Sequence, residues 1–108
     1  HGVANATLLP YVMEYNAESP SRAKYLDIAR AMGVKTDGMS VDEGVRAAVD
    51  AVKALSLSIR IPQRLHELGV REEDIPALAM AAFNDVCTGG NPRPTSVEAI
   101  ERLYHIAY

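Results

Sequence analysis

Apolar side chains recur at helical spacing along most of the chain, and the run from Val41 to Ile59 shows this best. Its apolar residues return every three or four positions and therefore share one helix face: Val41, Val45, Ala48, Val49, Val52, Leu55 and Ile59. Ser40 and Glu43 can form a capping box at the start of this run, and Pro62 stops it. The pattern predicts one long helix that buries this face.

Start and stop signals divide the rest of the chain into further helices. We predict helices over residues 2–16, 20–32, 62–68 and 71–84, and a last helix from residue 95 to the end. Pro10 lies inside the first helix and should kink it. A second capping box, Thr95 with Glu98, opens the last helix. No stretch shows the alternation of a strand, so the predicted fold class is all-α with about six helices.

Composition narrows the classes of partner. The 108 residues suffice for one domain with a modest core, and 48% of them are hydrophobic. The formal net charge is −3 without a basic patch, which argues against nucleic acid and anionic membranes as partners. No apolar run approaches the ~20 residues of a membrane span. The single cysteine, Cys87, rules out an internal disulfide framework and fits the cytoplasm.

Few residues could carry chemistry. His1 stands where a methionine is usual, and is either the remnant of a purification tag or a native residue whose preceding part is missing. No His-x-x-x-His or Cys-x-x-Cys spacing provides a local metal site. We expect His66 and His105 at surface or half-buried positions, and Cys87 as a small buried hydrophobic residue. Residues 85–94, with two glycines and two prolines, form either a rigid connector or a functional loop.

Two segments taken together resemble the C-terminal part of the iron-dependent (group III) alcohol dehydrogenases. They are His1–Pro10, which reads His-Gly-Val-Ala-Asn-Ala and then Leu-Leu-Pro, and Asp85–Arg93, which reads Asp-Val-Cys-Thr-Gly-Gly-Asn-Pro-Arg. Shorter stretches between and after them are similar too: Tyr25–Arg30, Arg71–Ala79 and Leu103–Tyr104. The resemblance spans essentially the whole chain.

The resemblance implies a two-domain enzyme with a dehydroquinate-synthase-like fold. An N-terminal α/β domain would bind NAD(H) or NADP(H), and a C-terminal helical domain would hold a divalent metal, usually iron, with one Asp and three His. Residues 1–108 would form the C-terminal portion of that helical domain, without the cofactor domain and the earlier helices. His1 maps onto the last metal-ligating histidine. Cys87 is expected at the edge of the active-site cleft, near substrate and nicotinamide, where it lines the pocket rather than reacts.

The reaction that the resemblance implies is the interconversion of short-chain alcohols or diols and aldehydes, with 1,2-propanediol and lactaldehyde as an example. Fe²⁺ or Zn²⁺ and NAD(H) would serve the complete enzyme, which we expect to be a homo-oligomer. With one of four metal ligands, residues 1–108 alone should be inactive and bind neither metal nor cofactor. The alternative is a free-standing helical interaction module that has kept the fold and lost catalysis.

Overall fold

The described part of the chain contains five α-helices joined by short turns. The computed structural model describes residues 2–85 and 88–108, in which the helices are α1 (Gly2–Asn16), α2 (Tyr25–Ala31), α3 (Val41–Ser58), α4 (Ile75–Asn84) and α5 (Val97–Ala107). Short 3₁₀ turns occupy Pro20–Lys24, Leu65–Leu68, Glu72–Asp74 and Thr88–Gly90. These described ranges contain no strand, and the all-α prediction is confirmed.

The helix expected over residues 62–68 is reduced to the single 3₁₀ turn Leu65–Leu68, which accounts for five α-helices instead of about six. The chain leaves α3 through Arg60 with a left-handed φ of 64°, and Arg64 is extended with φ −134°. Gly69, with φ 85°, then ends the turn. Pro62 and Gly69 leave too few residues between them for the costly first turn of an α-helix to be repaid.

Local capping residues fix most of the other helix ends. Ser40 caps α3 as predicted: its side chain accepts from the Glu43 N–H at 3.1 Å, and its own N–H donates to the Glu43 carboxylate at 3.0 Å. The second capping box is wrong by one residue. Ser96 caps α5 and accepts from the Ala99 N–H at 3.1 Å, so an alanine occupies the position where the box needs a glutamate.

The main core lies where α1, α2 and α3 meet. It is built largely from small and medium side chains: Met13, Ala17, Tyr25, Ala29, Ala48 and Val49. The Tyr25 hydroxyl donates to the Met13 carbonyl inside it. A second buried region lies where α4 packs against α5, and three residues of these helices are fully excluded from water: Ile75 and Ala79 on α4, and Ala107 on α5. Small residues at both junctions let the helix axes approach closely.

The chain exposes more surface than its mass predicts for a monomer. Its accessible area is 6844 Å², where a folded monomer of 11.7 kDa has about 5,900 Å². Its radius of gyration is 14.4 Å, compared with ~13 Å for a domain of this length. The predicted burial of the whole α3 face is wrong at its end, since Leu55 is 51% and Ile59 63% exposed. Val52 is the last apolar side chain of α3 that packs against this core.

Apolar side chains are also exposed on the other helices. The whole of α4 lacks a charged residue, yet Leu78, Met80 and Phe83 face water in part, as do Val3 and Leu9 on α1. None of the described helices is both long enough and apolar enough to cross a bilayer.

Candidate functional site

The two residues that the sequence singles out for chemistry, His1 and Cys87, lie outside the described residues. The structure does describe the segment that comes directly after each of them along the chain. Gly2 begins α1 directly after His1, and Thr88 begins the loop that runs to Pro94 directly after Cys87. The described parts of the candidate site are therefore α1 and the loop 88–94.

The first half of α1 is held against the segment that comes after α3. The Thr7 hydroxyl is buried and lies 2.7 Å from the Pro62 carbonyl, to which it donates. One turn further on, the Tyr11 hydroxyl donates to the Gln63 carbonyl at 3.0 Å. These carbonyls are free to accept because the chain forms no helix there. Two side chains on one face of α1 thus fix its position.

The last turn of α1 is held by the loop 88–94. The side chains of Asn16 and Asn91 bond each other in both directions, at 2.9 and 2.8 Å. Arg93 lies over the Tyr15 ring, 4.0 Å from its centroid, and donates to the Tyr15 carbonyl at 3.1 Å. The Tyr15 hydroxyl donates to the Pro94 carbonyl at 2.5 Å. The loop is therefore bonded to α1 at three of its residues.

The two described histidines belong neither to α1 nor to the loop 88–94. His66 is exposed, with its ring 5.6 Å from the ring of Tyr108 and its backbone N–H bonded to the Tyr108 carbonyl at 3.1 Å. His105 is exposed beside Arg71, Glu72 and Glu73, in a shallow depression of about 440 Å³. Within residues 2–85 and 88–108 there is no group of three His, Cys, Asp or Glu side chains that could hold a metal ion.

Shifted titrations in the described part of the chain have structural causes. Bonds from the backbone and side chain of Ser40 hold the pKa of Glu43 below its ordinary value, as an N-terminal cap of α3 requires. Burial raises the pKa of Tyr25, which sits in the core, and that of Tyr104, which is half-buried on α5. These shifts reflect helix capping and packing.

All 108 residues match a family model described as the Fe-containing alcohol dehydrogenase family, C-terminal. The chain belongs to the Fe-containing alcohol dehydrogenase family. Lactaldehyde reductase of Escherichia coli (strain K12) is 60% identical over 108 residues, which are 100% of this chain and 28% of the reductase. The 1,3-propanediol dehydrogenase of Citrobacter freundii is 42% identical over the same length, again 28% of that protein.

The fold of this dehydrogenase-family chain also matches a solved relative. The crystal structure of a 1,3-propanediol oxidoreductase superposes with a TM-score of 0.95 at 40% identity, covering 100% of this chain and 28% of that one. The chain thus spans little more than a quarter of the length of the relatives that it matches.

The sequence motifs single out α1 and the loop 88–94 as segments of the candidate site, but they do not indicate the residues that join the two. Asn16 carried no signal, because an asparagine at a helix end is ordinary there. Asn91 and Arg93 lie within the motif Asp85–Arg93, which predicts neither of their contacts with α1. Their partners lie 75 and 78 residues away along the chain, beyond the reach of any local pattern.

Proposed function

We propose that residues 1–108 are the C-terminal, metal-holding segment of an alcohol dehydrogenase that interconverts short-chain alcohols or diols and aldehydes with NAD(H). The observation that carries the proposal is the family match over all 108 residues, together with 60% identity to a lactaldehyde reductase. The substrate class is taken from that relative and the similar propanediol enzyme. Lactaldehyde with 1,2-propanediol is the pair to test first.

His1 is proposed as one ligand of the metal. An imidazole is a donor that both Fe²⁺ and Zn²⁺ accept in proteins. The described residues supply no ligand cluster of their own, so the other ligands, by the family pattern one Asp and two His, would come from outside this chain. When bound, the metal acts as a Lewis acid on the alcohol or carbonyl oxygen. The contribution of this chain is the imidazole, in its neutral form, and a helix that holds it.

The anchoring of α1 supports that assignment. A metal ligand must be held in place by its surroundings, since misplacement weakens both affinity and reactivity. The helix that begins after His1 is fixed at Thr7 and Tyr11 by bonds to the segment after α3. It is fixed again at its other end by Asn91 and Arg93. A ligand on this helix would inherit that rigidity.

Cys87 is proposed to line the pocket near substrate and nicotinamide without reacting. The basis is the family motif around it, Asp85–Arg93, since no histidine is close in sequence to activate a thiol. A packing role is the alternative for a lone cysteine. Cys87→Ser separates the two roles: a pocket position predicts a change in KM for the alcohol, whereas a packing position predicts a loss of stability at unchanged KM.

The excess surface supports a larger assembly. The chain exposes about 900 Å² more than a monomer of its mass, and uncharged α4 presents apolar side chains to water. Further helices of the same enzyme would cover these faces, and we propose that the complete enzyme is a homo-oligomer. Because a single cysteine cannot form a disulfide within the chain, its proposed location is the reducing cytoplasm.

The experiment is an assay of the complete protein that carries these residues, purified and loaded with Fe²⁺. We expect NADH oxidation with lactaldehyde, loss of turnover on chelation, and recovery on adding Fe²⁺ back. Residues 1–108 alone, assayed in parallel, should show neither turnover nor bound metal. If the complete protein turns over no short-chain alcohol or aldehyde with metal and either nicotinamide cofactor, the dehydrogenase proposal is wrong and the interaction module is favoured.

A further inference from the structure

The contacts between the end of α1 and the loop 88–94 form one connected group, which we call the loop clamp: Tyr15, Asn16, Asn91, Arg93 and the carbonyl of Pro94. The two α1 residues are the last two of the helix. The clamp thus joins the helix that begins after His1 to the loop that begins after Cys87. Both of these residues belong to the proposed active site.

The asparagine pair is the most specific part of the clamp. Each amide donates to and accepts from the other, at 2.9 and 2.8 Å, and Asn91 Nδ2 also donates to the Arg93 carbonyl at 2.6 Å. Both side chains are half-buried. A reciprocal amide pair has one good arrangement, and it is costly to leave unmade where water is partly excluded. The pair therefore fixes a register between loop and helix.

Arg93 adds a second fixed point. Its guanidinium stacks on Tyr15 at 4.0 Å and donates to the carbonyl of the same residue at 3.1 Å. A cation at this position is favoured by the negative end of the helix dipole, and its hydrogen bond reinforces the longer one that the Tyr15 carbonyl accepts from the Glu18 N–H at 3.4 Å. Tyr15 returns a bond to the Pro94 carbonyl. Stacking and hydrogen bonds together restrict Arg93 to one orientation.

Among the described residues, few contacts other than the clamp restrain the loop 88–94. A Cβ placed on Gly89 or Gly90 would meet nothing within 4 Å, so neither glycine is packed against another element. At the start of the loop, Thr88 makes two hydrogen bonds to the end of α4. Its N–H donates to the Asp85 carbonyl at 3.1 Å, and its hydroxyl donates to the Ala82 carbonyl. After Gly90, the contacts of the loop clamp are what hold the loop against α1.

We propose that Asn16 and Asn91 are positioning residues, which set the loop after Cys87 relative to the helix after His1. This inference rests on the proposed function, because the reaction whose rate the pair would affect is the proposed dehydrogenase reaction. Breaking the pair should leave α1 in place, because Thr7, Tyr11 and the Tyr25 hydroxyl hold that helix through other bonds. The clamp therefore acts on the geometry of the site more than on folding.

The test uses the complete, iron-loaded protein with Asn16→Ala, Asn91→Ala and Asn16→Asp. We expect each alanine variant to lower kcat for the aldehyde about tenfold per iron-loaded molecule, since one paired set of bonds is lost and the reacting groups are misplaced. Iron content and the KM for NADH should stay within about twofold. Asn16→Asp keeps an acceptor for Asn91 Nδ2 but places a carboxylate oxygen, which cannot donate, against Asn91 Oδ1, so it should lower kcat at least as much as Asn16→Ala.

Glu14→Gln is the matched control. Glu14 lies on the same turn of α1, but its carboxylate pairs with Lys53 of α3 at 3.1 Å and makes none of the clamp's bonds, so kcat should not change. A kcat per iron-loaded molecule that is unchanged in both alanine variants would overturn the proposal. So would an Asn16→Asp protein that keeps the wild-type kcat.

Hydrogen exchange separates this proposal from the proposed function. The Asn91 N–H is bonded to the Thr88 carbonyl at 3.1 Å within the loop. In Asn16→Ala we expect its exchange to quicken about tenfold, while the amides of α3 keep their wild-type rates. If the wild-type protein lacks turnover, the dehydrogenase assignment fails. The exchange rate of the Asn91 N–H then tests by itself whether the clamp holds the loop. Unchanged exchange at Asn91 would refute the clamp whatever the enzyme does.

Discussion

Replacing Ile75 tests the packing of α4 on α5, which forms the second buried region of the fold. Ile75 is the first residue of α4 and is fully excluded from water. Ile75→Ala removes three carbon atoms, worth about 0.8 kcal/mol each by transfer, or about 2.4 kcal/mol together. The cavity that remains adds to this, so we expect the free energy of unfolding to fall by about 3–4 kcal/mol. Ile75→Val removes one carbon and should cost about 1 kcal/mol.

Ile106→Ala is the matched control, because it is the same chemical change on α5 at a side chain that is 63% exposed. We expect it to alter stability by no more than about 0.5 kcal/mol, since little burial is lost and alanine is the better helix former. The assay is urea unfolding of residues 1–108 at low concentration, monitored by circular dichroism and fitted with a shared slope. An Ile75→Ala cost below about 1 kcal/mol, or equal to that of Ile106→Ala, would refute the packing described here.

Three further predictions concern capping, the core and the surface. Glu43→Gln should lower the urea midpoint at neutral pH: Ser40 holds the pKa of Glu43 down, so the charged cap stabilises the fold above the ordinary glutamate pKa. That difference should vanish as the pH falls through the lowered folded-state pKa, and a difference persisting at about pH 3 would contradict the mechanism. Tyr25→Phe should cost about 1 kcal/mol in urea unfolding, because the Met13 carbonyl still accepts from the Ala17 N–H at 3.0 Å; a loss above about 3 kcal/mol would show that the hydroxyl does more. Residues 1–108 should self-associate through their exposed apolar side chains, which sedimentation would contradict by showing a clean monomer at high concentration.

The helices with strong local signals are those that the sequence predicts best. The bounds expected for α1, 2–16, match the structure, and the Ser40 capping box places the start of α3. Both predictions depend on short-range rules, because a helix cap and an apolar period each involve residues that are only a few positions apart. The box at Thr95 failed by one residue, since adjacent Thr95 and Ser96 offer equivalent hydroxyls and the choice depends on the turn that precedes them.

Features that depend on contacts between residues far apart along the chain could not be predicted from the sequence. Periodicity identifies the apolar face of α3 but says nothing of what covers it, and so Leu55 and Ile59 were expected to be buried. The segment 62–68 has the composition of a helix, yet its backbone carbonyls are used by Thr7 and Tyr11 from α1. The candidate site shows the same division. The motifs point to its two segments, whereas the clamp between them is set by tertiary packing.

The central claim is that this chain supplies a metal ligand, His1, to an iron-type alcohol dehydrogenase. The measurement that tests it most directly is the iron content of the complete protein with His1→Ala, beside wild type and the control His66→Ala. His66 is exposed and packs on Tyr108, so its loss should leave iron unchanged. We predict about one iron per chain in wild type and His66→Ala, and a loss of at least about tenfold in affinity for His1→Ala. Full iron occupancy in His1→Ala, with wild-type affinity, would contradict the claim.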